Sequence, residues 1–249
     1  MDKFSIVIVA KDSADKIGRL LKSAEGLSDD VIVCDTGSTD ETIQIAKDAG
    51  ASVFSIPWEG YGRSKNVAIG YARHQWILSL DTDEKIDSVL YAALQKWQPA
   101  NDQTVYQILW KNFLAGQWIR HSDWGTQWKK RLFNKNAVHW DDAIAHEDVT
   151  SDKPLQFVKL DGYLEHYSFK DTREYAMKMI HSAMITAEKY HQQNKKGGIK
   201  LFVSPIFSFV KSYFIKLGFL DGHKGWVIAV TNAYYTFIKY ARLHELNRK

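Results

Sequence analysis

Cysteine is nearly missing. Cys34 is the only one in 249 residues, which excludes a disulfide framework and a thiolate metal site. A reducing, cytoplasmic location suits that composition. Also absent is any uninterrupted apolar run of about 18–20 residues, the length needed to cross a bilayer as one helix. The opening "MDKFSIVIVAKDS" has no basic leader and no small-residue cleavage site, so a first strand is expected there and not a signal peptide. No glycine-rich dinucleotide fingerprint follows that strand, where the chain reads "VIVAKDSADKIG". No phosphate loop of the G-x-x-x-x-G-K-[ST] type occurs either. Those two absences exclude a nicotinamide dehydrogenase and a P-loop enzyme. No repeat or low-complexity tract is visible.

What remains is globular: 45% hydrophobic and 25% charged residues. The net charge of +4 is unevenly spread. Residues 1–169 carry 19 Lys and Arg against 24 Asp and Glu, whereas residues 170–249 carry 14 against 5. A solvated basic tail or a surface for anions explains the asymmetry.

Over the first hundred residues strand and helix signals alternate. "FSIVIVA" (4–10), "DVIVCD" (30–35), "ASVFSIP" (51–57) and "WILSL" (76–80) read as strands. Between them Ile17, Leu20, Leu21 and Ala24 share a helical face, Ser38 and Glu41 are spaced as a capping box, and a helix is expected over 64–73. After "WILSL", Leu90, Ala93, Leu94 and Trp97 mark another helix. This alternation predicts an α/β fold with a mostly parallel sheet, whose ligands bind beyond the carboxyl ends of the strands. Residues 104–169 look strand-rich: "TVYQILW", a turn-like "LAGQ", "KKRLFN", "LQFVKL" and "YLEHYSF". From 172 the pattern turns helical up to Gly197 and Gly198. We expect a catalytic domain over 1–170, with 1–100 for a nucleotide and 101–170 for an acceptor, then a helical extension over 171–249.

Three acids crowd the end of the fourth strand in "DTDEKI": Asp81, Asp83 and Glu84. In extended chain, i and i+2 side chains share a face, so Asp81 and Asp83 can converge on a hard cation such as Mg²⁺ or Mn²⁺. The same acids suit the first turn of a helix beginning at Asp87; Glu84 is expected to support the ligands and not bind the ion. Asp35 ends the second strand and can accept hydrogen bonds from a base or ribose. Arg63 and Lys65 can contact phosphates, Arg as a fork and Lys as a point charge.

The ordered segments "SIVIVAKDSADKIGRLLKSA", "DVIVCDTGSTDETIQIAKDAGA" and "GRSKNVAIGYARHQWILSLDTDE" resemble the nucleotide-binding half of family 2 glycosyltransferases with the Rossmann-like GT-A fold. The resemblance implies that Ala10 and Lys11 open onto the nucleotide, Asp35 holds the base, and Arg63 and Lys65 lie near the diphosphate. It also implies that Asp81 contacts ribose or metal and that Asp83 ligates the metal. "AKDS" stands where many relatives carry a polar Thr-Tyr-Asn-Glu stretch, so contacts from that segment are left open. Farther on, "KRLFN", "AHED", "LEHYS" and the Asp-Gly-x-x-Gly of "LDGHKGW" resemble bacterial lipopolysaccharide-core β-glucosyltransferases acting on inner-core heptose. This implies Glu147 as general base, with Asp148 as the alternative, and His146 orienting it. His166 becomes a candidate third metal ligand, or a packed sheet-edge histidine. Arg131 would bind diphosphate or acceptor phosphate. Trp124, Trp128 and Trp140 are candidates for stacking on sugars.

The implied reaction is inverting transfer of a hexose from UDP-glucose, with a divalent metal, onto a lipid-linked glycan. Another cell-surface glycan (capsule, teichoic acid or protein-linked) and a noncatalytic nucleotide-sugar or membrane-binding module are the alternatives. Residues 199–241 hold eleven aromatic residues punctuated by lysines. A helix lying peripherally on the inner face of the inner membrane is expected from them, with a buried helical cap as the alternative. Basic residues interleaved with long apolar stretches suit lipid better than nucleic acid.

Overall fold

The computed structural model describes residues 4–142 and 147–248. The chain begins with β1 (Phe4–Ala10), α1 (Ile17–Ala24), β2 (Val31–Asp35), α2 (Thr42–Asp48), β3 (Ser52–Ser55) and α3 (Tyr61–Gly70). Next come β4 (Trp76–Asp81), β5 (Glu84–Ile86), α4 (Ser88–Gln95), β6 (Thr104–Leu114) and β7 (Gln117–Trp118). Then follow β8 (Gln127–Asn134), β9 (His139–Trp140), β10 (Val149–Thr150) and β11 (Gln156–Phe169), and last α5 (Thr172–Gln192), α6 (Lys200–Val210) and α7 (Gly222–Leu246). Two compact units result: Met1–Trp110 with Gln127–His166, and Lys111–Thr126 with Tyr167–Lys249.

In the first unit the sheet order is β3-β2-β1-β4-β8-β6-β11-β5. β3, β2, β1 and β4 are mutually parallel, with Ile6 beside both Val31 and Leu78. β8 joins β4 antiparallel, and β6 pairs β8 antiparallel. β1 and β2 are almost continuously apolar because both faces are covered. Ile6, Ile8, Leu78 and Leu80 face the α1 residues Ile17, Leu20 and Leu21 and the α4 residues Leu90 and Leu94. Val7, Ile32, Cys34 and Ile77 face Ala68 and Ile69 of α3. Burial there pushes the Cys34 thiol up to about 12, so it stays protonated. The register places Ala10 beside Asp35, and Val9 beside Asp81, at one edge of the sheet. That edge is where a parallel sheet binds its ligand.

Local details depart from the sequence reading in instructive places. Ser38 does not cap α2: its hydroxyl donates to Asp35, and the helix starts at Thr42 after Glu41. Asp87, by contrast, caps α4, its carboxylate accepting from the Leu90 N–H at 2.8 Å. "LQFVKL" and "YLEHYSF" join into the single strand β11 through Gly162. Gly162 has φ +94°, and a Cβ there would lie 2.2 Å from the Leu90 nitrogen, so only glycine fits.

In the second unit "LAGQ" forms the predicted turn between β6 and β7, with Ala115 and Gly116 both at positive φ. Leu114, Ile119, Tyr175 and Ile228 form a small core. α5 stops at Gln192, short of the two glycines. Asp221 is buried and accepts from the backbone N–H groups of Arg120 (3.0 Å) and His121 (2.9 Å). Gly225 of α7 lies so near Gly218 that a Cβ would meet its carbonyl oxygen at 1.7 Å.

Candidate active site

Asp81 is the last residue of β4, and the chain turns at Thr82 and Asp83 before re-entering the sheet as β5. The turn is held from two sides. Glu84 accepts the Asp81 N–H at 2.9 Å, and the Thr82 hydroxyl donates to Ser13 at 3.1 Å. With Asp81 in the strand and Asp83 in the turn, the two aspartates take different partners. Asp81 meets cations: Lys65 Nζ at 2.9 Å from Oδ1 and Arg131 Nη2 at 2.5 Å from Oδ2. Asp83 meets His166, with Nε2 3.5 Å from Oδ2.

These contacts belong to an alternating chain of five charges. Glu147 Oε1 lies 2.6 Å from Lys65 Nζ; Lys65 meets Asp81; Asp81 meets Arg131; and Arg131 Nη2 lies 2.7 Å from Glu84 Oε1. Lys65, Glu84 and Arg131 are all buried. A lone buried charge is costly, and each of these has an opposite neighbour. The protonation states follow. Burial acts against the charged form of Asp81, but Arg131 and Lys65 outweigh it and hold the carboxyl well below the usual range. Burial likewise works against Lys65, and Asp81 and Glu147 overcome it, so its pKa is raised. For Glu84 burial wins over Arg131, and its pKa is raised. Asp83 is lowered: burial opposes ionisation, and His166 prevails.

Secondary structure explains how distant residues arrive together. β11 pairs β5 with His166 opposite Glu84, which sets the imidazole beside the turn. β8 runs antiparallel to β4 with Leu132 opposite Leu78, so Arg131 reaches the end of β4. Asn66, next to Lys65 on α3, clamps Trp140 of β9, donating to its carbonyl at 2.8 Å and accepting its N–H at 2.9 Å. β9 pairs with β10, whose first residue lies two beyond Glu147. Trp110 donates its indole N–H to Glu84 and stacks on His166, with 3.7 Å between centroids and 18° between planes. Lys129 Nζ lies 3.8 Å from the same Trp110 centroid, so it covers the opposite face.

The structure therefore gathers Lys65, Asp81, Arg131 and Glu147 in one network and Asp83 with His166 in a neighbouring pair. Other candidates stand apart from it. Arg63 is exposed and pairs with Asp142 at 3.3 Å. Asp148 is exposed and pairs with Lys130 at 2.7 Å. Asp35 is buried, accepting from the N–H groups of Gly37 (2.9 Å) and Ser38 (3.0 Å) in its own loop. Ala10 is buried with its carbonyl accepting from Thr36, and Lys11 is exposed. Trp140 is buried under Lys65, whose Nζ lies 4.6 Å from its ring, and has no open face for a sugar. His146 lies outside the described residues. Trp110, Asn66 and Lys129 were not singled out in the sequence. Glu84 was, through its place directly after the two aspartates.

Among the described residues no group of three or more His, Cys, Asp or Glu side chains forms a cage for a cation. The Asp83 carboxylate and His166 imidazole offer one hard oxygen and one nitrogen donor. That set fits a Mg²⁺ or Mn²⁺ ion whose other positions come from phosphate oxygens and water, the usual arrangement at nucleotide sites.

A family model described as glycosyl transferase family 2 matches residues 5–161. An uncharacterized glycosyltransferase of Rickettsia typhi is 30% identical over 262 aligned positions, which cover 100% of this chain and 89% of the relative. A lipopolysaccharide core biosynthesis glycosyltransferase of Rhizobium meliloti, LpsC, is 24% identical, covering 97% of this chain and 92% of its own. Among solved structures, glucosyl-3-phosphoglycerate synthase of Mycobacterium tuberculosis, in complex with Mn²⁺, UDP and glucosyl-3-phosphoglycerate, is 24% identical. It covers 46% of this chain and 45% of its own, with a TM-score of 0.36.

Proposed function

The chain belongs to glycosyl transferase family 2 and has the GT-A fold, and from that premise we propose that it transfers glucose from UDP-glucose, with inversion, to a lipid-linked glycan. The acceptor we assign is the inner-core heptose of a lipopolysaccharide, reached from the cytoplasmic face of the inner membrane. The whole-length likeness to a lipopolysaccharide core transferase supports that choice. The observation that carries the reaction is the single ammonium of Lys65 lying between Glu147 at 2.6 Å and Asp81 at 2.9 Å. It joins a carboxylate suited to the acceptor with the strand-end carboxylate suited to the donor.

In this reading Lys65 holds Glu147 through Oε1, which leaves Oε2 to take the proton. The acceptor hydroxyl gives that proton to Glu147 as its oxygen attacks the anomeric carbon. The bond from that carbon to the diphosphate breaks, and its electron pair leaves with UDP. Arg131 and Lys65 offset the charge that grows on the leaving group. A divalent ion bound by Asp83 and His166, with Asp81 beside them, would neutralise the diphosphate. Asp35 and the loop after β1 meet the nucleoside.

A donor screen with Mg²⁺ or Mn²⁺ tests this reading. UDP-glucose is expected to be turned over in preference to other nucleotide sugars. Glu147→Gln should lower kcat by about 10²–10⁴-fold. A variant as active as the parent would remove Glu147 as base.

A further inference from the structure

No residue of α6 is fully buried. Its apolar residues are nevertheless numerous and large. Ile199 is 76% exposed, Phe202 70%, Ile206 68% and Phe207 60%. Val203, Val210, Phe214 and Ile215 are exposed as well. The spacing 199, 202, 203, 206, 207, 210, 214 is that of a single helical stripe. The opposite side is occupied: Phe209 and Tyr213 each pack on Trp226 of α7, with ring centroids 5.2 Å apart. A contiguous apolar surface of this size marks an interaction site.

The charge pattern says what covers it. Residues 189–220 hold six lysines and no acid. Lys195 and Lys196 precede α6, Lys200 opens it and Lys211 follows its last residue, whereas Lys216 farther on is held by Asp123 at 2.5 Å. We propose that this stripe inserts into the headgroup–acyl boundary of an anionic phospholipid surface, with the lysines at either end meeting the phosphates. Lysine stems lie along apolar surface while their ammonium groups stay at the polar level, so both halves of the pattern are used. A second copy of the chain is a poor occupant, because it would bring one set of lysines against another.

The helix lies in the plane of the interface and does not cross it. Among the described residues no single helix is long and apolar enough to span a membrane. Lys200–Ile215 and Gly218–Leu246 pass on length and composition only as a pair, bent by 70°. α7 buries Gly225, Ile228, Ala229, Thr236 and Leu243, while Trp226, Val230, Tyr234 and Phe237 stay exposed. An eleven-residue α6 spans about half of a hydrocarbon core.

The inference deepens the membrane-side reading of the acceptor and does not depend on which sugar is moved. Its test is flotation of the full chain with vesicles of phosphatidylcholine alone or mixed with phosphatidylglycerol. Binding is expected to the anionic vesicles, at least about tenfold weaker to neutral ones, and weakened by salt. The variant Phe202→Ser/Ile206→Ser/Phe207→Ser should lose binding while keeping its circular dichroism spectrum and its hydrolysis of UDP-glucose in solution. Lys195→Ser/Lys196→Ser/Lys200→Ser should lose the preference for anionic lipid. Parent protein that stays unbound, or a serine variant that binds like the parent, overturns the proposal. So does a doubled mass by light scattering without vesicles that the serine variant abolishes, because a second copy would then be the occupant. Loss of UDP-glucose hydrolysis in the parent would count against the proposed reaction alone.

Discussion

At the residue scale Glu84 is the keystone. It is 1% exposed and accepts from the Asp81 N–H, the Trp110 indole and the Arg131 guanidinium. Replacing it with Gln keeps the shape but leaves Arg131 buried beside one carboxylate instead of two. Removing one partner of a buried pair costs about 3–5 kcal/mol. Glu84→Gln is therefore expected to lower stability by about 3 kcal/mol in urea unfolding. Because Trp110 stacks on His166, the same change should also weaken cation-dependent UDP binding. A variant as stable as the parent would show that Arg131 does not need Glu84. The sequence displayed the acids but not their division of labour. The i, i+2 rule expects Asp81 and Asp83 on one face; it does not reveal that Asp81 meets Lys65 and Arg131 while Asp83 meets His166. Lys65 and Arg131 read as phosphate ligands, yet both lie among carboxylates, which no local pattern reveals: Lys65 and Glu147 are 82 positions apart.

At the element scale the strands and helices with strong periodicity were legible: β1, β2, β4, α1 and α4 coincide with their apolar patterns. β5 escaped, since three residues between a turn and a helix carry no period. The capping box on α2 failed because Asp35, two strands into the sheet, claims the Ser38 hydroxyl. A tertiary contact overrode a local motif. The Asp-Gly-x-x-Gly segment has a physical reason in the close approach of Gly225 to Gly218. Gly225→Ala places a methyl 1.7 Å from a backbone oxygen, so backbone must move. The expected loss is about 3 kcal/mol or more, read from the urea midpoint. Gly70→Ala is the contrasting change. Nothing lies within 4 Å of the added carbon at the end of α3, so stability should stay level or rise by about 1 kcal/mol at most. Equal effects of the two changes would refute the close-approach account.

At the scale of the whole molecule, the two compact units carry different chemistry: the ion network lies in the first and the α6 stripe in the second. The acids concentrate before residue 170, and the second unit takes in Lys111–Thr126 as well as the basic C-terminal part. Thermal unfolding with ligand tests the division. A ligand bound only by the folded state stabilises it by about 2.7 kcal/mol at a hundredfold excess over Kd. For a chain of 249 residues that is an upward shift of about 5–10 °C in the transition that reports the first unit. UDP with Mn²⁺ should give a larger shift than UDP alone. Asp83→Ala should erase the cation-dependent increment and keep the UDP-only shift, because Asp35 and the loop after β1 are untouched. The serine variant of the α6 stripe should keep both. An increment that survives Asp83→Ala would move the cation away from Asp83 and His166, and with it the role of the turn that presents them.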